Sequence, residues 1–125
     1  MIYGIGVDVV ETQRIAGLID RYGERFARRV LTDLEWPAYE RTKKPVLFIA
    51  NRFAAKEAFS KAMGTGFRYP VTLQNISVVQ NKAGKPDYAV SAPLQARMDE
   101  YAVRGSYLTI SDEKSMVCAV AVLER

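Results

Sequence analysis

Glu57 and Lys61 stand four residues apart in Arg52-Phe53-Ala54-Ala55-Lys56-Glu57-Ala58-Phe59-Ser60-Lys61-Ala62-Met63-Gly64-Thr65-Gly66, a stretch that reads as a helix closed by a glycine loop. On a helix that spacing sets both side chains on one face, one turn apart. A carboxylate can hold a hard divalent cation, and a lysine ammonium can meet a phosphate. The pair therefore suggests a site for metal-bound phosphate esters. An ordinary surface ion pair has the same spacing and is worth only about 0.2–0.5 kcal/mol, so the helix alone does not decide. A second carboxylate, Asp8, falls near the end of the strand-like run Ile2 to Val10. There it is either a capping or surface group, or a ligand at a site.

Composition narrows the chemistry. The chain has no histidine, which excludes a Ser-His-Asp triad, a Cys-His pair and any His-ligated zinc or iron. A metal must then be held by oxygen, which favours magnesium, calcium or manganese. Proton transfer falls to a carboxylate, a lysine, a tyrosine or water. A single cysteine excludes an intrachain disulfide, and Cys118, inside the apolar run Met116 to Leu123, reads as a small buried hydrophobe. The net charge of +4 suits polyanionic partners, whether nucleic acid, a nucleotide cofactor or an acidic protein.

These residues need a scaffold. At 125 residues the chain is read as one domain, 1–125, with one core. No apolar run approaches the roughly 18 residues of a membrane span, and the N-terminus lacks a basic, then long apolar, leader pattern. The expectation is a cytoplasmic protein with no membrane segment.

In Ile2 to Val10, Tyr3, Ile5, Val7 and Val9 alternate with Gly4, Gly6 and Asp8. The two glycines imply something packed close to the backbone. Thr12 to Tyr22 reads as an amphipathic helix with Thr12 as N-cap. Gly23 ends it, and Glu24 to Leu31 resumes it. If that helix is continuous, Arg14, Arg21, Arg25 and Arg28 form one basic stripe, either a solvated face or a docking ridge for an acidic partner. Thr32-Asp33-Leu34-Glu35 resembles a capping box before a short helical turn, and Trp36 reads as a core or subunit-contact residue. A long helix from about Val46 to Met63 follows, stopped by Gly64-Thr65-Gly66. Leu73 to Gln80 and Asp87 to Ser91 read as strands around the turn Asn81-Lys82-Ala83-Gly84-Lys85-Pro86. Pro93 to Val103 reads as a helix closed by Gly105, and Tyr107 to Ser111 with Met116 to Leu123 as a final hairpin. The outline is an α+β domain, its mainly antiparallel sheet packed with the long helix.

Four segments carry chemistry: Gly4-Ile5-Gly6-Val7-Asp8 with Arg14 behind it, the Lys56-Glu57-Ala58-Phe59-Ser60-Lys61 helix with its glycine loop, the Asn81 to Pro86 turn, and Leu108-Thr109-Ile110-Ser111-Asp112. In this order and at these separations they resemble the small bacterial 4′-phosphopantetheinyl transferases, the holo-acyl-carrier-protein synthases, over Ile2 to Glu124. The resemblance implies that family's fold and its magnesium-dependent reaction. The 4′-phosphopantetheine arm of coenzyme A passes to a serine of apo-acyl carrier protein, and adenosine 3′,5′-bisphosphate leaves, in support of fatty acid biosynthesis. It implies Asp8 and Glu57 as magnesium ligands and Lys61 beside the coenzyme A phosphates. Gly64, Thr65 and Gly66, then Gly84, Lys85 and Pro86, would pack around the nucleotide; Ser111 and Asp112 are further cofactor-binding candidates, Asp112 either contacting the cofactor or capping the turn. It also implies a homotrimer with sites between subunits, and a carrier-docking first helix carrying Arg14, Arg21, Arg25 and Arg28. Many relatives have Ser-His where this chain has Ser111-Asp112, so a histidine role there does not transfer.

The competing class is a binding module for RNA or an acidic protein. Against RNA, no RNA-binding signature occurs, and the aromatics are not interleaved with basic residues as a stacking platform requires. Tyr3, Phe48, Phe53, Phe59, Tyr88 and Tyr107 read as core or subunit contacts.

Overall fold

The structure is a computed structural model that describes all of residues 1–125. In chain order it contains β1 (Ile2–Glu11), α1 (Thr12–Tyr22), α2 (Glu24–Val30), α3 (Trp36–Arg41), α4 (Pro45–Met63), β2 (Ile76–Gln80), β3 (Pro86–Val90), α5 (Ala92–Glu100), β4 (Gly105–Asp112) and β5 (Met116–Glu124). The α+β architecture agrees with expectation, and every strand pair is antiparallel. The strands form two sheets, a three-stranded one in the order β1-β5-β4 and the β2-β3 hairpin.

Helix α4 is the spine of the fold. Ile49, Ala50, Ala54, Ala55, Ala58, Phe59, Ala62 and Met63 are all buried, so the helix is covered on most of its circumference rather than along one stripe. Its alanines let neighbours approach closely. β1 lies directly on it, which is what Gly4 and Gly6 allow. A Cβ at Gly4 would meet the Ala62 carbonyl oxygen at 1.9 Å, and one at Gly6 the Ala58 carbonyl oxygen at 1.9 Å. The helix stops at Gly64, whose φ of 82° puts it in the left-handed region that a side chain disfavours.

The sheet's two faces divide differently from what alternation alone suggests. The glycine face of β1, with Asp8 and Val10, meets α4. The apolar face is open: Ile5, Val7 and Val9 are 60%, 50% and 53% exposed. Register continues this face across the sheet, with Ile5 opposite Val122, Val7 opposite Val120 and Val9 opposite Cys118. Cys118 is accordingly half-buried on the outer side, not enclosed. Tyr107 is half-exposed there and its hydroxyl donates to Glu124 Oε1 at 3.0 Å, whereas Phe59 and Tyr88 are core residues.

Gly23, with φ 60° and ψ −137°, breaks the first helix in two, so the four arginines do not lie on one continuous helix. Thr12 does not cap α1. Its hydroxyl donates to the Lys114 carbonyl at 3.0 Å and ties the helix start to the β4-β5 turn. The expected capping box is half formed. Glu35 Oε1 accepts from the Thr32 N–H at 2.9 Å, but α3 starts only at Trp36. Leu73–Asn75 is a single 3-10 turn before β2, not strand. Helix α5 stops at Glu100, with Ser91 Oγ accepting from the Leu94 N–H, and Gly105 opens β4 instead of closing the helix.

A buried polar cluster, not anticipated from the sequence, joins α4 to these elements. Lys56 is 0% exposed, and its Nζ donates to Glu35 Oε1 at 2.6 Å, to the Val30 carbonyl at 2.5 Å and to the Leu73 carbonyl at 3.1 Å. Glu35 Oε2 accepts from the Val78 N–H at 3.0 Å. All three ammonium donors are thus used, which is what makes a fully enclosed lysine tolerable. Burial pushes the Lys56 ammonium pKa down, and Glu35 pulls it back up.

Candidate functional site

The close contact of β1 with α4 brings Asp8, Glu57 and Lys61 together. Lys61 Nζ lies 3.1 Å from Asp8 Oδ1 and donates to the Val7 carbonyl at 3.1 Å. The lysine therefore crosses from the helix to the strand, rather than only folding back along its own helix toward Glu57. Burial raises the Glu57 carboxyl pKa above 4.5, and the neighbouring Asp8 charge adds to it. Lys61 and Arg14 oppose the rise. Arg14, from α1, is thus near enough for its charge to act on Glu57. One turn beyond Lys61, the Gly64 N–H bonds the Lys61 carbonyl at 3.0 Å and the Thr65 hydroxyl bonds the Gly66 carbonyl at 2.8 Å. Gly66 has φ 64°, so the loop turns sharply where a side chain would be strained.

Two carboxylates with basic neighbours fit a hard cation and a phosphate. No third Asp, Glu, His or Cys joins them. Such a site would hold magnesium through Asp8 and Glu57 and leave its remaining positions to water and substrate phosphate, the usual pattern for this ion. The like charge that raises the Glu57 pKa is the penalty that a bound cation removes.

The other expected site residues lie elsewhere in this chain. Asp112, at the end of β4, accepts from Asn51 Nδ2 at 3.2 Å, in the N-terminal half of α4, whereas Lys61 lies in its last turn. Ser111 pairs with Cys118 on the outer sheet face. The Asn81 to Pro86 turn is tied by Asn81 Oδ1, which accepts from the Ala83 and Lys85 N–H groups at 2.9 and 3.0 Å. Gly84, with φ 83°, completes it. Lys85 and Pro86 line a cleft against Ser106, Tyr107 and Leu108 of β4.

The arginines divide as well. Arg21 sits over the Tyr22 ring at 5.4 Å. Arg28 is committed to the fold, with its guanidinium 3.5 Å from the Trp36 ring centroid. Arg25 belongs to a groove of about 380 Å³ between the first two helices and α4. Leu18, Tyr22, Phe26, Val30, Phe53 and Leu73 give the groove its apolar lining, and Arg29 joins Arg25. Neither this groove nor the Lys56–Glu35 pair was singled out by the sequence reading. Lys56 shares a helix face with Ile49, Ser60 and Met63, all buried, and a lysine in such a stripe was the available signal.

Residues 4–121 match the 4′-phosphopantetheinyl transferase superfamily as a whole. The chain belongs to this superfamily. A holo-[acyl-carrier-protein] synthase of Nitrosospira multiformis is 50% identical to this phosphopantetheinyl transferase family member, over all of both chains. The crystal structure of the holo-[acyl-carrier-protein] synthase of Neisseria meningitidis superposes with a TM-score of 0.97 at 42% identity, again over all of both chains. A holo-(acyl-carrier-protein) synthase of Bacillus anthracis in complex with CoA (3′,5′-ADP) reaches a TM-score of 0.82 at 35% identity, covering 98% of this chain and 96% of that one. The fold expected of a phosphopantetheinyl transferase is therefore the fold found, and no helix of this family member is long and apolar enough to cross a membrane.

Proposed function

We propose that this chain is a holo-acyl-carrier-protein synthase. It transfers the 4′-phosphopantetheine arm of coenzyme A to a serine hydroxyl of apo-acyl carrier protein and releases adenosine 3′,5′-bisphosphate, in the service of fatty acid biosynthesis. The observation that carries the reading is the convergence of Asp8, Glu57 and Lys61 where β1 is pressed onto α4.

The serine oxygen forms a bond to the phosphorus bearing pantetheine, and the bond from that phosphorus to the bridging oxygen breaks. The electron pair leaves with adenosine bisphosphate. Such a transfer needs positioning and charge neutralisation more than covalent help. Magnesium held by Asp8 and Glu57 would neutralise and orient the pyrophosphate. Lys61 swings from Asp8 to the phosphates and stabilises charge on the leaving oxygen. A carboxylate, Glu57 or one acting through a water held at the site, would take the serine proton. Gly64, Thr65 and Gly66 pack beside the nucleotide. Arg14, Arg21 and Arg25, with the apolar groove, receive the acidic carrier. Arg28 supports that surface from its place on Trp36.

The working form is a homotrimer with the cofactor cleft between subunits. The open Ile5, Val7, Val9 face supports this, because a contiguous apolar sheet face of this kind marks an interaction surface. The dispersal of Asp112, Lys85 and Glu57 within one chain supports it too, since residues too scattered to share one cofactor internally can meet across subunits. The activity is cytoplasmic on this reading.

The test is intact-mass spectrometry of an apo-acyl carrier protein incubated with this protein, coenzyme A and magnesium. The carrier gains one phosphopantetheine mass, and EDTA abolishes the gain. No gain on several carriers with folded protein overturns the reading.

A further inference from the structure

Helix α2 has seven residues, and its C-terminal carbonyls need donors from elsewhere. Two side chains supply them. Lys56 Nζ takes the Val30 carbonyl at 2.5 Å. Gln74 Nε2 shares its two hydrogens among the carbonyls of Arg28, Arg29 and Leu31, at 2.8, 3.0 and 3.1 Å. Each also ties in the Leu73–Asn75 turn. Lys56 bonds the Leu73 carbonyl at 3.1 Å, and Gln74 is the next residue of that segment. Val30 and Leu73 both line the groove. The placement of these two lining residues relative to each other is thus held by one ammonium and one amide. Lys56 is rooted in α4 immediately before Glu57, so the same ammonium references the groove to the helix that carries the catalytic carboxylate.

We propose that Lys56 and Gln74 are positioning residues for carrier docking. They hold the α2 end and the Leu73–Asn75 turn at the separation the carrier requires, and they align that seat with Glu57 and Lys61. This rests on the reading above that the groove receives the carrier. Lys56 is fully enclosed and cannot touch a partner, so any effect of its loss on the carrier is indirect.

Lys56→Met alone would strand a buried Glu35, so the informative variant is Lys56→Met with Glu35→Gln, beside Gln74→Ala at the surface end of the clamp. Steady-state transfer is measured against both substrates, with circular dichroism to confirm folding. The KM for the carrier should rise tenfold or more in each variant, while the KM for coenzyme A stays within twofold. Loss of folded fraction alone lowers the maximal rate and leaves both KM values in place. Unchanged carrier KM in Gln74→Ala overturns the proposal, as does an equal rise for both substrates. A carrier effect in Gln74→Ala but none in a folded double variant also overturns it, because Gln74 would then be a direct contact. Should the double variant not fold, Lys56→Gln with Glu35→Gln takes its place under the same criteria. An inactive parent protein would instead overturn the proposed function, and the two failures are told apart by that control.

Discussion

Gly6→Ala tests the idea that the site exists because β1 rests on bare helix backbone. The added methyl would lie 1.9 Å from the Ala58 carbonyl oxygen and 2.7 Å from the Ala62 nitrogen. The tighter contact falls about 1.1 Å short of the 3.0 Å below which something must shift. Both neighbours are helix backbone, so relief requires β1 and α4 to separate by roughly that distance. Overpacking against side chains costs about 1–3 kcal/mol, and rigid backbone puts this case at the upper end, about 3 kcal/mol. The opposing gain from a less flexible unfolded chain is only about 0.4–1 kcal/mol, so destabilisation wins. For a domain of this size that lowers the melting temperature by roughly 10 °C. Asp8 travels with β1, while Glu57 and Lys61 travel with α4. A misplacement near 1 Å between them should lower turnover by about 10²-fold in the fraction that stays folded. Thermal melts and steady-state transfer at a temperature below both transitions read the two effects separately. Gly17→Ala is the matched control, since nothing lies within 4 Å of a Cβ there. It should stabilise α1 by about 0.5–1 kcal/mol. A Gly6→Ala protein with a melting temperature within 2 °C of the parent and normal turnover would refute the reasoning.

Glu57→Gln should lower turnover by orders of magnitude yet raise the melting temperature slightly at neutral pH in chelated buffer. The folded Glu57 pKa is raised, so the folded state holds this proton more tightly than the unfolded chain. Its ionised form therefore costs stability. That cost is absent below pH 4.5, grows as pH climbs through the elevated folded value, and is complete above it. A melting temperature that falls in Glu57→Gln above that window counts against the assignment. Arg21→Glu should raise the carrier KM and flatten its salt dependence while sparing coenzyme A; equal damage to both substrates would make this arginine structural or part of the cofactor site. Arg14→Glu should do more, lowering the maximal rate as well, because Arg14 also acts on Glu57. Tyr88→Phe removes a buried hydroxyl that donates to the Ala55 carbonyl at 2.5 Å. It should cost about 1–3 kcal/mol in denaturant titration, with KM unchanged, and a loss of substrate affinity would place Tyr88 nearer the site than the core.

What the sequence made legible follows from how local each signal is. The approach of something to Gly4 and Gly6 was readable because only a missing Cβ allows it, and the partner is the alanine-rich α4. The break at Gly23 left the arginine stripe conditional. A left-handed φ splits the helix there, and Arg28 turns onto Trp36. The outward apolar face of β1 could not be assigned, since alternation states that the two faces differ and not which one a helix covers. Lys56 is the sharpest case. Lys56 and Glu57 are adjacent in sequence and about 100° apart on the helix, so one is sent into the core and the other to the site. Read linearly they form a charged pair on a surface. Only the three-dimensional placement of Glu35, distant in sequence and with both its oxygens engaged, turns one of them inward. Breaking one side of such a buried pair costs about 3–5 kcal/mol. The motif's first lysine thus serves the fold, its second reaches Asp8 and the Val7 carbonyl on β1, and the glutamate between them stands at the position that buried lysine fixes.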